Sequence, residues 1–184
     1  MKKVVGFIGS ARKTGNTSSL VKQILQGAKD EGVETKNYYL NELNIKGCQG
    51  CMYCRKHNNC CIKDDMQEVY QDIKDAEAVI IGSPIYIHQV SGQTKLMLDR
   101  FYPLTNEKHK PRFGKKKLVM AYTQAAPFKC FFKKYRKYIK KSLKAMGLIH
   151  HKDIVATRCF ESDAVKKNKK VLNKAYKLGN SLFE

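Results

Sequence analysis

Runs with strand character and runs with helical periodicity alternate along this chain, and no other feature constrains its fold as much. Residues 2–10, rich in Val, Phe and Ile, predict a buried strand. Asn16 or Thr17 can cap a helix whose apolar face is Leu20, Val21, Ile24, Leu25 and Ala28, with Gly32 at its stop. A weaker, more polar run at 33–40 predicts an edge strand. A cysteine-rich loop comes next. Asp65 to Glu68 then reads as a capping box opening a helix with Met66, Val69, Tyr70 and Ile73 inward. Residues 76–83 predict a second buried strand, ended by Pro84, and a helix at about 92–104 follows. Residues 117–123 predict a strand, and 128–146 a long helix with Phe128, Phe131, Phe132, Tyr135, Tyr138, Ile139, Leu143 and Met146 on one stripe. Residues 153–160 predict the last strand. Ser162 or Asp163 then caps a final helix with Leu172, Ala175, Tyr176, Gly179 and Leu182 inward. Five β and five α units in strict alternation predict an α/β fold, a parallel sheet with helices on both faces.

The 184 residues fit one domain, 1–184, because no linker, composition shift or internal repeat divides them. No apolar run approaches the ~18 residues of a membrane span. The basic start and apolar residues 4–9 give way at Ser10-Ala11-Arg12-Lys13, too soon for a signal peptide, so the expected location is cytoplasmic and membrane-free. Seven cysteines in such a compartment argue against a disulfide framework. The net charge of +20 suits an acidic protein partner, nucleic acid, or simply a lysine-rich surface. No nucleic-acid reading motif accompanies it, so specific nucleic-acid binding is not expected.

In an open parallel sheet a ligand sits beyond the carboxyl ends of the strands, where strand order reverses. The loop after the first strand, Gly9-Ser10-Ala11-Arg12-Lys13-Thr14-Gly15-Asn16-Thr17-Ser18, leads hydroxyls, an amide and two cations into a helix N-terminus. A phosphate there meets free backbone N–H groups and the positive end of the helix dipole. Five residues between Gly9 and Gly15, followed by Asn16, do not make a Walker A loop, and the dinucleotide fingerprint is absent. The plain alternative is a polar turn with a good cap. Gly82-Ser83-Pro84-Ile85-Tyr86 and Tyr122-Thr123-Gln124-Ala125-Ala126 fall at two further strand ends and supply two more walls of the same crevice.

These segments, with Ser91-Gly92 through Lys95 to Asp99-Arg100 and the cysteine segment ending in Asp64-Asp65-Met66, resemble the NADPH-dependent FMN reductase family of flavodoxin-like proteins, its iron–sulfur flavoprotein branch in particular. The resemblance covers nearly the whole chain. It implies a doubly wound, five-stranded parallel sheet of order 2-1-3-4-5. It implies that Ser10, Arg12, Asn16, Thr17 and Ser18 hold an FMN phosphate. Ser83, Pro84, Ile85 and Tyr86 would contact the isoalloxazine ring, and Thr123 and Gln124 would flank its other side. Gln124-Ala125-Ala126 stands where relatives often have a glycine. No side chain is assigned a catalytic role, since the redox chemistry belongs to the flavin. Relatives build the flavin site at a subunit interface, so a homodimer or homotetramer is implied. The apolar and aromatic residues between Ile85 and Val90 fit that expectation.

Cys48, Cys51, Cys54 and Cys60 follow one another at spacings typical of iron–sulfur ligation, whereas zinc sites more often use two separated C-x2-C pairs. In the branch resembled, such a motif holds a four-iron, four-sulfur cluster. Cys61 is the alternative fourth ligand, and a cluster-free or zinc-bound loop is the competing reading. Cys130 and Cys159 read as structural, and His150 and His151 as loop residues ahead of a strand. Three function classes follow. The first is an FMN electron-transfer protein with a cluster, reduced by a ferredoxin-like or other acidic redox protein. The second is a cluster-free FMN or quinone reductase using NAD(P)H. The third is a basic binding module or zinc protein.

Overall fold

The computed structural model describes residues 2–184. Its elements run β1 (Lys3–Ile8), α1 (Asn16–Asp30), β2 (Glu34–Tyr39), α2 (Tyr53–Lys56), α3 (Met66–Asp75), β3 (Ala78–Tyr86), β4 (Gln89–Val90), α4 (Gly92–Asp99), β5 (Lys116–Thr123), α5 (Lys133–Lys144), β6 (Leu148–Ala156), α6 (Ala164–Lys167) and α7 (Lys169–Asn180). The sheet order is β2-β1-β3-β5-β6, all parallel, with the two-residue β4 paired antiparallel to the end of β3. Leaving β4 aside, this is the expected 2-1-3-4-5 order, reversing at β1.

Alternation of side chains along the strands divides the core in two. Val5, Phe7, Val79, Ile81, Leu118, Met120 and Tyr122 face α3, α4 and α5. Val4, Ile8, Ala78, Ile80, Val119 and Ala121 face α1 and α7. On that second face the helices α1 and α7 meet backbone to backbone. A Cβ on Gly179 would stand 1.8 Å from the Ile24 carbonyl oxygen, and one on Gly27 2.1 Å from that of Tyr176. On the other face, the carboxylate of Asp72 pins α3 to the sheet. Burial pushes its pKa up, but hydrogen bonds from Lys3, Lys36 and Tyr38 outweigh that and hold it down at about 2.

Several local expectations are corrected. Strand β3 passes through Pro84 to Tyr86 instead of ending there. The Gly82 carbonyl accepts from Gly9 N, so the Pro84 nitrogen two residues on faces the same side, where β1 has already ended and no ladder partner is lost. The chain then reverses at Ile87 and His88, both at positive φ. The fourth helix stops at Asp99, and Tyr102–Leu104 is a single 3-10 turn. Helix α5 begins only at Lys133. Phe128, Phe131 and Tyr138 are exposed, while Arg136 is buried against Tyr122 and bonded to the Lys129 carbonyl. Cys130 is exposed rather than structural. Strand β6 starts at Leu148, so His150 and His151 lie within an edge strand, at a bulge opposite Leu118 and Val119. It ends at Ala156, before Cys159. The last helix is capped by Asn168, not Ser162 or Asp163. The Asp65–Glu68 capping box does not form either. Asp65 accepts from Asn44 N, Glu68 reaches Lys36, and Asp64 takes the Met66 N–H.

Candidate functional site

A cleft of about 140 Å³ opens at the carboxyl ends of β1, β3 and β5. Ser10, Arg12, Asn16 and Thr17 line it from the first loop, Pro84, Ile85 and Tyr86 from the second, and Thr123 and Gln124 from the third. The first loop is held in shape by its own chain. Ser10 Oγ accepts from Arg12 N at 3.2 Å, Gly15 N donates to Arg12 O at 3.2 Å, and Ser18 Oγ donates to Arg12 O at 2.9 Å. Gly9 and Gly82 bring the first two loops together. A Cβ on Gly9 would stand 1.8 Å from Thr94 Oγ1, and Ser91 Oγ donates to Gly9 O while accepting from Thr94 N. Ser83 Oγ donates to Pro84 O and accepts from Ser91 N at 2.9 Å.

Helix α1 points its N-terminus into this cleft, and its N-cap, Gly15, brings no side-chain hydrogen bond to the first turn. Neither Asn16 nor Thr17 is the cap. Asn16 Nδ2 donates to Glu161 O at 2.6 Å and its Oδ1 accepts from Val165 N at 2.8 Å, which ties the loop to the segment after β6. Thr17 Oγ1 shares a 2.7 Å hydrogen bond with Thr123 Oγ1 and joins the first wall to the third. The first-turn N–H groups are therefore left without a side-chain cap beside a buried serine and an exposed arginine. That donor set suits a terminal phosphate. Across the cleft, Gln124 is buried. Its Nε2 donates to the carbonyls of Ala126 and Phe128, while its Oε1 has no partner among the described residues. A buried carbonyl without a donor is costly, and a ring N–H in the cleft would satisfy it.

Two residues expected in contact with a ligand do not line the cleft. Ser18 and Ser83 are buried and spend their hydroxyls on the loops themselves. Two others, Ala125 and Cys159, do line it. Cys159 reads as a strand residue from its alternation with Val155 and Thr157, yet it follows the end of β6. Burial there pushes its thiol pKa up.

The cysteine loop leaves the carboxyl end of β2, the same end of the parallel sheet. Met52 and Gly50 turn the chain through left-handed backbone at φ 61 and 63°. A separate cavity of about 100 Å³ is lined by Cys48, Cys51, Cys54 and Cys60 together with Asp99, Arg100, Tyr102 and Pro103. Cys61 does not line it, and its Sγ lies 3.5 Å from Cys51 Sγ. The Tyr53 N–H lowers the pKa of Cys51, whereas burial raises that of Cys54. Arg112 bonds the carbonyls of Cys54 and Arg55, and Arg55 bonds Thr105 and Asn106, so cations brace the loop. Among the described residues no three His, Cys, Asp or Glu side chains converge as a single-ion site. The four cysteines instead line one cavity, and such a set of residues suits a polynuclear cluster.

A cleft at a topological switch point with a phosphate-ready helix N-terminus defines a mononucleotide-binding flavodoxin-like protein. The family model for NADPH-dependent FMN reductase matches residues 2–129, and the chain belongs to that family. That membership supports FMN as the cofactor. An iron–sulfur flavoprotein of Methanocaldococcus jannaschii is 40% identical over 102 residues, 55% of this chain and 53% of that one. An iron–sulfur flavoprotein of Methanosarcina thermophila is 33% identical over 98 residues, 53% and 51% of the two chains. The chain thus spans about half the length of the curated relatives it matches. Among solved structures, an NAD(P)H:quinone oxidoreductase from Methanothermobacter marburgensis superposes with a TM-score of 0.74 at 13% identity, over 99% of this chain and 95% of that one. An FMN-dependent NADH-azoreductase from Bacillus anthracis, in complex with FMN, superposes at 0.71 and 10% identity over the whole of both chains. At such identities these two structures establish the fold. No helix among the described residues is long and apolar enough to cross a membrane.

Proposed function

We propose that this chain is an FMN-dependent electron-transfer oxidoreductase that also carries a four-iron, four-sulfur cluster. The observation that carries the reading is the cavity whose walls hold Cys48, Cys51, Cys54 and Cys60 at once. Cys60 is the fourth ligand in this reading because it lines that cavity, whereas Cys61 does not. When bound, FMN and the cluster supply the electron-accepting chemistry that no protein side chain here offers. The chain's own residues do the rest. The first-turn N–H groups of α1, with Ser10, Arg12 and Thr17, bind the phosphate. Pro84, Ile85 and Tyr86 cover the ring, and Thr123 and Gln124 orient its far edge. Asn16 holds the phosphate loop to the segment 161–165 rather than serving mainly as a phosphate donor. Ser18 and Ser83 shape the loops from behind.

The test is anaerobic purification followed by flavin, iron and sulfide analysis. The expected result is FMN together with iron and acid-labile sulfide in about equal amounts. Cys51→Ala is expected to lose the iron and sulfide entirely and to keep the flavin. Flavin without iron in the anaerobic wild type would instead leave a cluster-free NAD(P)H-dependent reductase.

The cleft is smaller than the ~300–1,000 Å³ of an ordinary ligand pocket. Tyr86 at the end of β3 and Ile87, Phe128, Phe131 and Phe160 in the loops beyond the strands are all exposed. This favours a second copy of the chain completing the flavin site, and light scattering should report a dimer or tetramer at micromolar concentration; a monomer would contradict it. Lys133, Lys134, Lys137, Lys141 and Lys144 are exposed on α5, a cationic face suited to an acidic redox protein of the ferredoxin class as electron donor. Reduction by such a donor should then slow as salt rises, whereas reduction by NAD(P)H alone would point to the second function class.

A further inference from the structure

The cysteine loop is closed at its base by an ion pair with almost no exposure to solvent. The side chains of Arg100 and Asp64 are 1% and 0% exposed. Arg100 stands at the end of α4, and its two terminal nitrogens grip the Asp64 carboxylate in a fork, Nη1 to Oδ2 at 2.6 Å and Nη2 to Oδ1 at 3.1 Å. Nη1 also donates to the Lys46 carbonyl at 2.6 Å, and Asp64 accepts the Lys46 N–H at 2.9 Å. The pair thus joins Lys46, two residues before Cys48, to Asp64, three residues after Cys61. Tyr70 fixes the other side of Arg100 by donating to its carbonyl at 2.8 Å. One terminal N–H of Arg100 remains. It is directed at Cys60 Sγ, 3.5 Å from Nη2, and Gln67 Nε2 donates to the Cys60 carbonyl.

A buried ion pair is a weak source of net stability, since desolvation offsets most of its attraction. A hydrophobic pair could close the loop as well. What a hydrophobic pair could not supply is a donor to the sulfur. Hydrogen bonds to ligand sulfurs are among the factors that set a cluster's reduction potential, because they stabilise the extra negative charge of the reduced form.

We propose that Arg100 is a positioning residue for the cluster: held by Asp64, it donates an N–H to the sulfur of Cys60, selects Cys60 over Cys61 as fourth ligand, and raises the reduction potential of the bound cluster. This rests on the cluster reading above. Among the described residues Cys61 receives no such N–H donor, and its thiol meets that of Cys51 instead.

The test uses anaerobically prepared full-length protein and a spectroscopic redox titration that follows flavin and cluster separately. Arg100→Lys keeps a charge for Asp64 but lacks the fork that reaches the sulfur. It is expected to shift the cluster midpoint to more negative potential and to leave the flavin midpoint where it was. A second, independent pair of variants guards against a folding defect at the buried site. Cys60→Ser is expected to lose most of the iron, and Cys61→Ser to retain it. An unchanged cluster midpoint in folded Arg100→Lys, or loss of iron from Cys61→Ser with retention in Cys60→Ser, overturns the inference while the cluster reading stands. Wild-type protein without iron overturns both.

Discussion

Ser10→Asp is expected to weaken FMN binding by about 100-fold, roughly 2.7 kcal/mol, while leaving riboflavin binding nearly as it was. Ser10 is buried at the end of β1 and lines the cleft beside the first turn of α1. An aspartate there keeps an acceptor for the Arg12 N–H that Ser10 Oγ now takes at 3.2 Å, so the loop retains its shape. It also places a carboxylate where the account puts the phosphate, in competition for the same backbone N–H groups. Flavin fluorescence titrations with both ligands read the effect. Equal losses for FMN and riboflavin would mean a damaged loop rather than a phosphate site, and no loss would mean the phosphate lies elsewhere.

The second large effect is on stability. Gly179→Val is expected to destabilise the fold by about 3 kcal/mol or more, since overpacking a core costs ~1–3 kcal/mol even where neighbouring side chains can shift. Here the obstacle is backbone: the Ile24 carbonyl oxygen lies 1.8 Å from where the Cβ must go. Relief requires moving α7 off α1, and α1 begins at the first loop of the cleft. Gly92→Ala is the natural control, because nothing lies within 4 Å of its Cβ position. Urea denaturation should show a much lower midpoint for the first variant and little change for the second. Wild-type stability in Gly179→Val would contradict the close helix crossing.

The residues that were legible from sequence are those whose role is periodic or local. Leu20, Val21, Ile24, Leu25 and Ala28 mark the inward face of α1 by spacing alone, and all five are buried. Ser10, Arg12, Thr123 and Gln124 lie at or just beyond strand ends whose place follows from strand alternation, and they meet at one cleft. What was not legible depends on partners far away in the chain. The Asn16 amide suits a cap, but Glu161 and Val165, 145 and 149 residues distant, take it. The polar run His150-His151-Lys152 hides the start of β6, because an edge strand tolerates polar residues and the bulge there breaks the alternation. Cys159 keeps strand-like spacing after the strand has ended, so nothing local marks it as a wall of the cleft. The Arg100–Asp64 pair spans 36 residues, and only the fold brings its two halves together.

The central claim is that the uncapped first turn of α1 binds the terminal phosphate of FMN. Comparing the affinities of the purified apoprotein for FMN and riboflavin tests it most directly, because the two ligands differ only in that phosphate. A few charge-assisted hydrogen bonds at ~1.5–3 kcal/mol each predict that FMN binds at least about 100-fold more tightly. Equal affinities would contradict the account.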